Sequence, residues 1–124
     1  MAQKILLIDD DLYIRELYEE VLKNAGYDVQ TAVDGEEGVH FLMSGGYDLI
    51  LLDMMMPKVD GLGVLNALAA KSPAQKNGPI ILLSNLGNEP VIEEILQKGA
   101  VAYLIKADIT PDQLLDCVAK NLGK

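Results

Sequence analysis

The chain has 124 residues, half of them apolar, with 19 acidic and 10 basic side chains and a net charge of −9. That length makes one domain able to bury a real core without a disulfide or metal staple, and the single cysteine, Cys117, excludes an intramolecular disulfide and a Cys-based zinc site. The acidic balance argues against direct nucleic-acid binding and against docking on anionic lipid; the apolar runs are too short to span a bilayer and no secretory signal opens the chain, so a cytoplasmic setting is expected.

Ile5 to Ile8 form an apolar run of strand length that stops at Asp9. Ile14, Leu17, Tyr18, Val21, Leu22 and Ala25 follow at helical offsets, with Gly26 as the stop. Tyr27 to Ala32 alternates and reads as a second strand nearer an edge. Asp34 can cap a second helix, with Glu36 and Glu37 in its first turn, and Gly45-Gly46 ends it. Leu49 to Leu52 is a third strand ending on Asp53. Asp60-Gly61 opens a third helix carrying Leu62, Leu65, Leu68 and Ala69, and residues 72–78 are a polar loop. Pro79 enters a fourth strand, Ile80 to Leu83, which ends on Ser84. Asn88 can cap a fourth helix with Val91, Ile92, Ile95 and Leu96 on one face. Val101 to Ile105 is a fifth strand ending on Lys106. Thr110-Pro111-Asp112-Gln113 is a capping box with proline at the first helical position, and the helix after it buries Leu115, Val118, Ala119 and Leu122.

Strict alternation of apolar strands with amphipathic helices implies a parallel sheet covered on both faces. Right-handed crossovers make it a doubly wound α/β fold, here one domain over residues 1–124.

In such a sheet the ligand site lies beyond the carboxyl ends of the strands. The residues ending the strands therefore belong together: Asp9 and Asp10, Asp53, Ser84 and Lys106. Clustered carboxylates repel, and each raises its neighbour's pKa. A divalent cation relieves this, and hard oxygen ligands favour magnesium, manganese or calcium over zinc or copper. Lys106 adds a compact positive charge and Ser84 a hydroxyl. The set suits a phosphoryl group, with Asp53 as the nucleophile that forms an aspartyl-phosphate. Singly, each of these is more often a turn residue or a cap; Asp11 and Asp60 read as caps. Jointly, polar residues at the ends of four apolar strands point to chemistry.

This ordered set resembles the receiver domain of bacterial response regulators, the CheY-like fold, from Lys4 to about Leu122. The residues that carry the resemblance are Asp9-Asp10, the segment Asp53-Met54-Met55-Met56-Pro57-Lys58-Val59-Asp60-Gly61, Ser84, Tyr103 and Lys106. It implies the strand order 2-1-3-4-5. It implies that Asp53 accepts a phosphoryl group from a sensor histidine kinase or phosphotransfer protein. Asp10, Asp53 and the backbone carbonyl of Met55 would bind Mg2+ directly, and Asp9 through a water; Mn2+ or Ca2+ would substitute. Lys106 and Ser84 would hold the phosphoryl oxygens, and Tyr103 would turn inward as Ser84 moves, remodelling the face of the fourth helix, fifth strand and fifth helix for a downstream protein. The resemblance implies no enzyme beyond self-phosphorylation and self-dephosphorylation, no membrane or nucleic-acid contact, and a monomer or a phosphorylation-dependent dimer.

One departure is Ala107, where the family usually has proline after its lysine; a trans Lys106–Ala107 peptide is expected, because a cis bond before a non-proline residue costs roughly 2.5–4 kcal/mol. The resemblance also implies that Met55 and Leu86, two after the acceptor aspartate and two after the switch hydroxyl, flank the line of the attacking water; neither can hold it, so slow loss of phosphate is expected. Flavin binding is disfavoured because Asp9-Asp10-Asp11 stands where a phosphate-cradling loop would be, and a dinucleotide because no G-x-G-x-x-G follows the first strand. Phosphotransferases of the haloacid-dehalogenase type carry D-x-D, whereas Met55 stands two after Asp53. The remaining rival is a receiver-like scaffold that binds a partner without phosphorylation. His40 reads as a surface residue, and Cys117, Met54 and Met56 read as packing.

Overall fold

The structure, a computed structural model, describes residues 2–56, 58–85, 89–106 and 108–123, without the side chains of residues 89–92. The elements in order are β1 Lys4–Ile8, α1 Leu12–Asn24, β2 Asp28–Ala32, α2 Gly35–Ser44, β3 Leu49–Asp53, α3 Gly61–Ala70, β4 Ile80–Ser84, α4 Glu89–Gln97, β5 Ala100–Ile105 and α5 Pro111–Asn121. The proposed cap Asn88, Leu86 and the Lys106–Ala107 peptide lie outside the described residues.

All strand pairs are parallel and the sheet order is β2-β1-β3-β4-β5, as the resemblance implied. The central strands are apolar throughout their covered length, β1 from Ile5 to Ile8 and β3 and β4 on every residue up to their last, because helices cover both of their faces. β2, at an edge, keeps the alternation read from its sequence.

The two faces hold two cores. Leu6, Ile8, Ile50, Leu52, Ile80 and Leu82 pack against Leu42 of α2, Val64 and Leu65 of α3 and Ile95 of α4. Ile5, Leu7, Leu49, Leu51, Ile81 and Leu83 pack against Tyr18 and Leu22 of α1 and Leu114 and Val118 of α5. The helical stripes are shifted slightly from the sequence reading. In α3 Val64 is buried and Ala69 exposed; in α5 Leu114 is fully buried while Leu115, Ala119 and Leu122 are only half-buried. Period alone locates a stripe, but the crossing of helix over sheet selects the pair within it that points straight down.

The capping side chains do what their residue types favour. Asp11 accepts from the Ile14 N–H at 3.3 Å, Asp34 from Glu37 at 2.8 Å and Asp60 from Gly63 at 2.8 Å. Thr110 and Gln113 form the reciprocal capping box. Among the described residues no helix is long and apolar enough to cross a membrane.

Candidate functional site

Side chains alternate along a strand, so the core faces predict where the strand-end groups emerge. Leu7, Leu51 and Leu104 lie on the α1/α5 side, and two residues further on stand Asp9, Asp53 and Lys106. These three meet. The Lys106 ammonium lies 3.1 Å from Asp9 Oδ2 and 3.3 Å from Asp53 Oδ2. All three side chains are almost completely buried. Asp10, the next residue, is exposed, and one carboxylate oxygen from each of Asp9, Asp10 and Asp53 lies within 4.8 Å of the others.

The backbone completes the cradle. Asp9 Oδ1 accepts the Asp11 N–H at 2.9 Å, and Asp53 Oδ1 accepts the Met55 N–H at 3.3 Å. These bonds hold each carboxylate by one oxygen and leave the other toward Lys106. Burial, then the charge of Asp9, push the Asp53 carboxyl up to about 7, against the smaller opposing effects of Lys106 and the Met55 N–H. Burial alone would lower the Lys106 ammonium, but Asp9 and Asp53 overcome it and hold its pKa above the ordinary value. One cation facing two buried carboxylates, with a third carboxylate beside them, leaves negative charge in excess. A hard divalent cation fits this donor set: oxygen ligands only, close enough to converge, and electrostatically undercompensated.

Ser84 and Tyr103 belong to the other face. Ser84 continues the Ile80–Leu82 row and is 5% exposed; its carbonyl accepts the Lys106 N–H at 2.7 Å. Ser84 pairs with Ile105, and Leu82 with Tyr103, so Ser84 and Tyr103 stand diagonally across the β4–β5 pair on the α4 side. Tyr103 is 39% exposed. It lines an open cavity of about 350 Å3 together with Leu104, Ile105, Asp108, Ile109 and Gln113.

Three structural supports escaped the sequence reading. Arg15, the only arginine of the chain, donates from Nη1 to the Asp9 carbonyl at 3.0 Å and braces the β1–α1 turn. Its position one turn into α1, beside three aspartates, was the available signal. A Cβ on Gly61 would stand 2.9 Å from the Asp53 carbonyl, so only glycine lets α3 start this close to the acceptor. Lys58 holds φ at 66° in the loop between Asp53 and α3, with its ammonium 3.7 Å from Asp34 and 3.9 Å from Glu36. The bland residues behave as read: His40 is exposed on α2, Met54 and Met56 pack against the core, and burial pushes the half-buried Cys117 thiol up, away from reactivity. Met55, by contrast, is 70% exposed at the rim of the site.

Comparison with known proteins agrees with this geometry. Residues 5–119 match the response regulator receiver domain family. The chain is 35% identical to chemotaxis protein CheY of Treponema pallidum (strain Nichols), covering 83% of this chain and 72% of that protein. It is 42% identical to the probable transcriptional regulator ycf27 of Cyanophora paradoxa, covering 84% of this chain but only 42% of that longer protein. Among solved structures, the receiver domain of a Francisella response regulator superposes with a TM-score of 0.86 at 31% identity, over 98% of this chain and 97% of that one. The receiver domain of a sensor histidine kinase of Pseudomonas aeruginosa PAO1 superposes with a TM-score of 0.85 at 30% identity over the whole of both chains; that structure has a magnesium ion coordinated in the active site cleft.

Proposed function

The chain belongs to the response regulator receiver domain family of two-component systems, and from that premise we propose that Asp53 is its phosphoacceptor, served by Mg2+, Lys106 and Ser84. The observation that carries this reading is the buried Lys106 bridge between Asp9 and Asp53, with Asp10 converging on them. In the transfer, an Asp53 carboxylate oxygen forms a bond to phosphorus as the P–N bond to the donor histidine breaks, and that imidazole recovers its proton. Little covalent chemistry is asked of the protein; position and charge compensation do the work.

Asp10, Asp53 and the Met55 carbonyl would hold the cation directly, and Asp9 through a water. When bound, Mg2+ neutralises charge on the transferring group, and Mn2+ or Ca2+ offers the same hard-cation chemistry. The cation that already bridges two carboxylates, Lys106, is placed to follow the charge onto the phosphoryl oxygens. Ser84 donates to another of these oxygens. Its displacement frees space on the α4 side for Tyr103, and the α4-β5-α5 face changes shape. The exposed Val101 and half-open Tyr103 on the β5 edge make that face a fitting surface for a downstream protein or for a second phosphorylated copy.

The donor would be a sensor histidine kinase or a phosphotransfer protein in the cytoplasm. The chain acts on its own aspartate and turns over no separate substrate. The test is incubation with acetyl phosphate and Mg2+ followed by intact-mass measurement. One added phosphoryl group, lost in Asp53→Asn, is expected. Wild-type protein that stays unlabelled would overturn the reading and leave the non-phosphorylated binding scaffold.

A further inference from the structure

The α1/α5 side of the sheet carries a buried polar side chain that the proposed chemistry does not use. Tyr18 of α1 is 4% exposed and packs in the core formed by Leu7, Leu51, Leu83 and Leu114. Its hydroxyl has no hydrogen-bond partner among the described residues. A buried hydroxyl left unpaired costs roughly 1–3 kcal/mol, and a phenyl ring would fill the same space without that cost.

The surroundings say what the hydroxyl is near. On this face the residues following Leu7 and Leu51 are Asp9 and Asp53, one pleat step nearer the carboxyl end. Helical side chains lean toward the helix N-terminus, and α1 begins at the site, so the ring leans that way. Asp9 is also the one charge that acts on Tyr18: burial first, then that carboxylate, push the phenol up to about 12. The hydroxyl is therefore a neutral donor.

Asp9 is fully buried and has two described partners, the Asp11 N–H on Oδ1 and the Lys106 ammonium on Oδ2. The ammonium is shared with Asp53. Under the phosphoacceptor reading, on which this inference rests, Lys106 follows the charge onto the phosphoryl oxygens. Asp9 then keeps the Asp11 N–H and the water on the cation but gives up the ammonium inside the protein, where an under-paired carboxylate is expensive.

We propose that the Tyr18 hydroxyl is a donor held in reserve for Asp9, hydrogen-bonding to the carboxylate when Lys106 turns to the phosphoryl group. Tyr18 is thus a positioning residue: it holds the Asp9 carboxylate in place in the loaded state, and it is idle in the unloaded one.

The experiment compares wild type with Tyr18→Phe, which deletes only the hydroxyl, using beryllofluoride with Mg2+ as the phosphoryl mimic. The metal-free variant should melt at the wild-type temperature or above it. Its beryllofluoride affinity should fall about tenfold, the share of one hydrogen bond to a charged group. In wild type, loading should bring up a slowly exchanging hydroxyl proton resonance that the variant lacks. Equal beryllofluoride affinity in the two proteins, or no new resonance, would overturn the proposal. So would a variant whose metal-free melting temperature falls in step with its affinity, since that is the mark of a packing role. If wild type takes up neither beryllofluoride nor label from acetyl phosphate, it is the phosphoacceptor reading that fails.

Discussion

The two ends of the same sheet handle polar groups in opposite ways. At the amino end, Lys4 and Asp48 exchange two bonds: the Lys4 N–H donates to Asp48 Oδ2 at 2.7 Å and the Asp48 N–H to the Lys4 carbonyl at 2.8 Å. Asn77 accepts from the Tyr47 N–H and donates to the Leu42 carbonyl, and the Gly78 N–H reaches the Tyr47 carbonyl at 2.7 Å. Neutral backbone groups do most of this work, and the Asp48 carboxylate stays exposed. At the carboxyl end, two carboxylates are buried against one ammonium and a third converges on them. The amino end is built for stability; the carboxyl end keeps an electrostatic conflict that a cation and a phosphoryl group can resolve.

Asp53→Asn separates the ends most sharply. Labelling by acetyl phosphate should vanish while the fold persists. Stability should rise at pH 8 by a few degrees in melting temperature, the shift that about 1 kcal/mol makes in a domain of this size. The sign follows from the raised carboxyl. Its folded pKa is about 7 against an ordinary 3.8, so the folded state holds the proton more tightly. That contribution is complete below pH 4 and is lost as pH rises through 7. Metal-free wild type should therefore weaken over that window, and the advantage of Asp53→Asn should shrink toward pH 5. A variant without a pH-dependent advantage would show that the charge conflict at this end is relieved in some other way.

Lys106→Met is expected to slow labelling at least about a hundredfold, since it removes a charge that stabilises the transferring group. It also strands two buried carboxylates. The Asp53 carboxyl, already raised, loses the ammonium that held it down and rises further, so urea midpoints should drop at pH 8 and recover at pH 5.

Gly78→Ala tests the amino end. A Cβ there would collide with the Asp48 carbonyl, a backbone atom that cannot swing aside. A loss of roughly 1–3 kcal/mol in urea unfolding is expected, with labelling of the folded protein unchanged. If labelling fell as well, the ends would be coupled and the contrast between them overstated.

Met55→Asn has the smallest expected effect. Met55 stands exposed at the rim and cannot hold an attacking water. A polar side chain there should hasten decay of the phosphoprotein a few-fold, roughly what a weak added hydrogen bond supplies. Decay is followed by intact mass after the donor is removed, with the melting temperature of the unphosphorylated form unaltered.

Much of this protein is legible before any coordinates. Element order, the four capping side chains Asp11, Asp34, Asp60 and Thr110, and the acidic and basic residues at the strand ends are local facts. They follow from side-chain period, from which oxygen can reach the third amide of a helix, and from where apolar runs stop. The tertiary structure decided what depends on distance and direction. Which face each strand end emerges on brought Asp9, Asp53 and Lys106 together on the α1/α5 side and put Ser84 with Tyr103 on the other. The crossing of α5 over the sheet made Leu114, not Leu115, the buried member of the stripe. Arg15 beneath the Asp9 carbonyl, Gly61 against the acceptor's backbone and the unpaired Tyr18 hydroxyl have no sequence period to announce them. Each is a meeting of groups set by packing, and packing is a property of the assembled layers and not of any one segment.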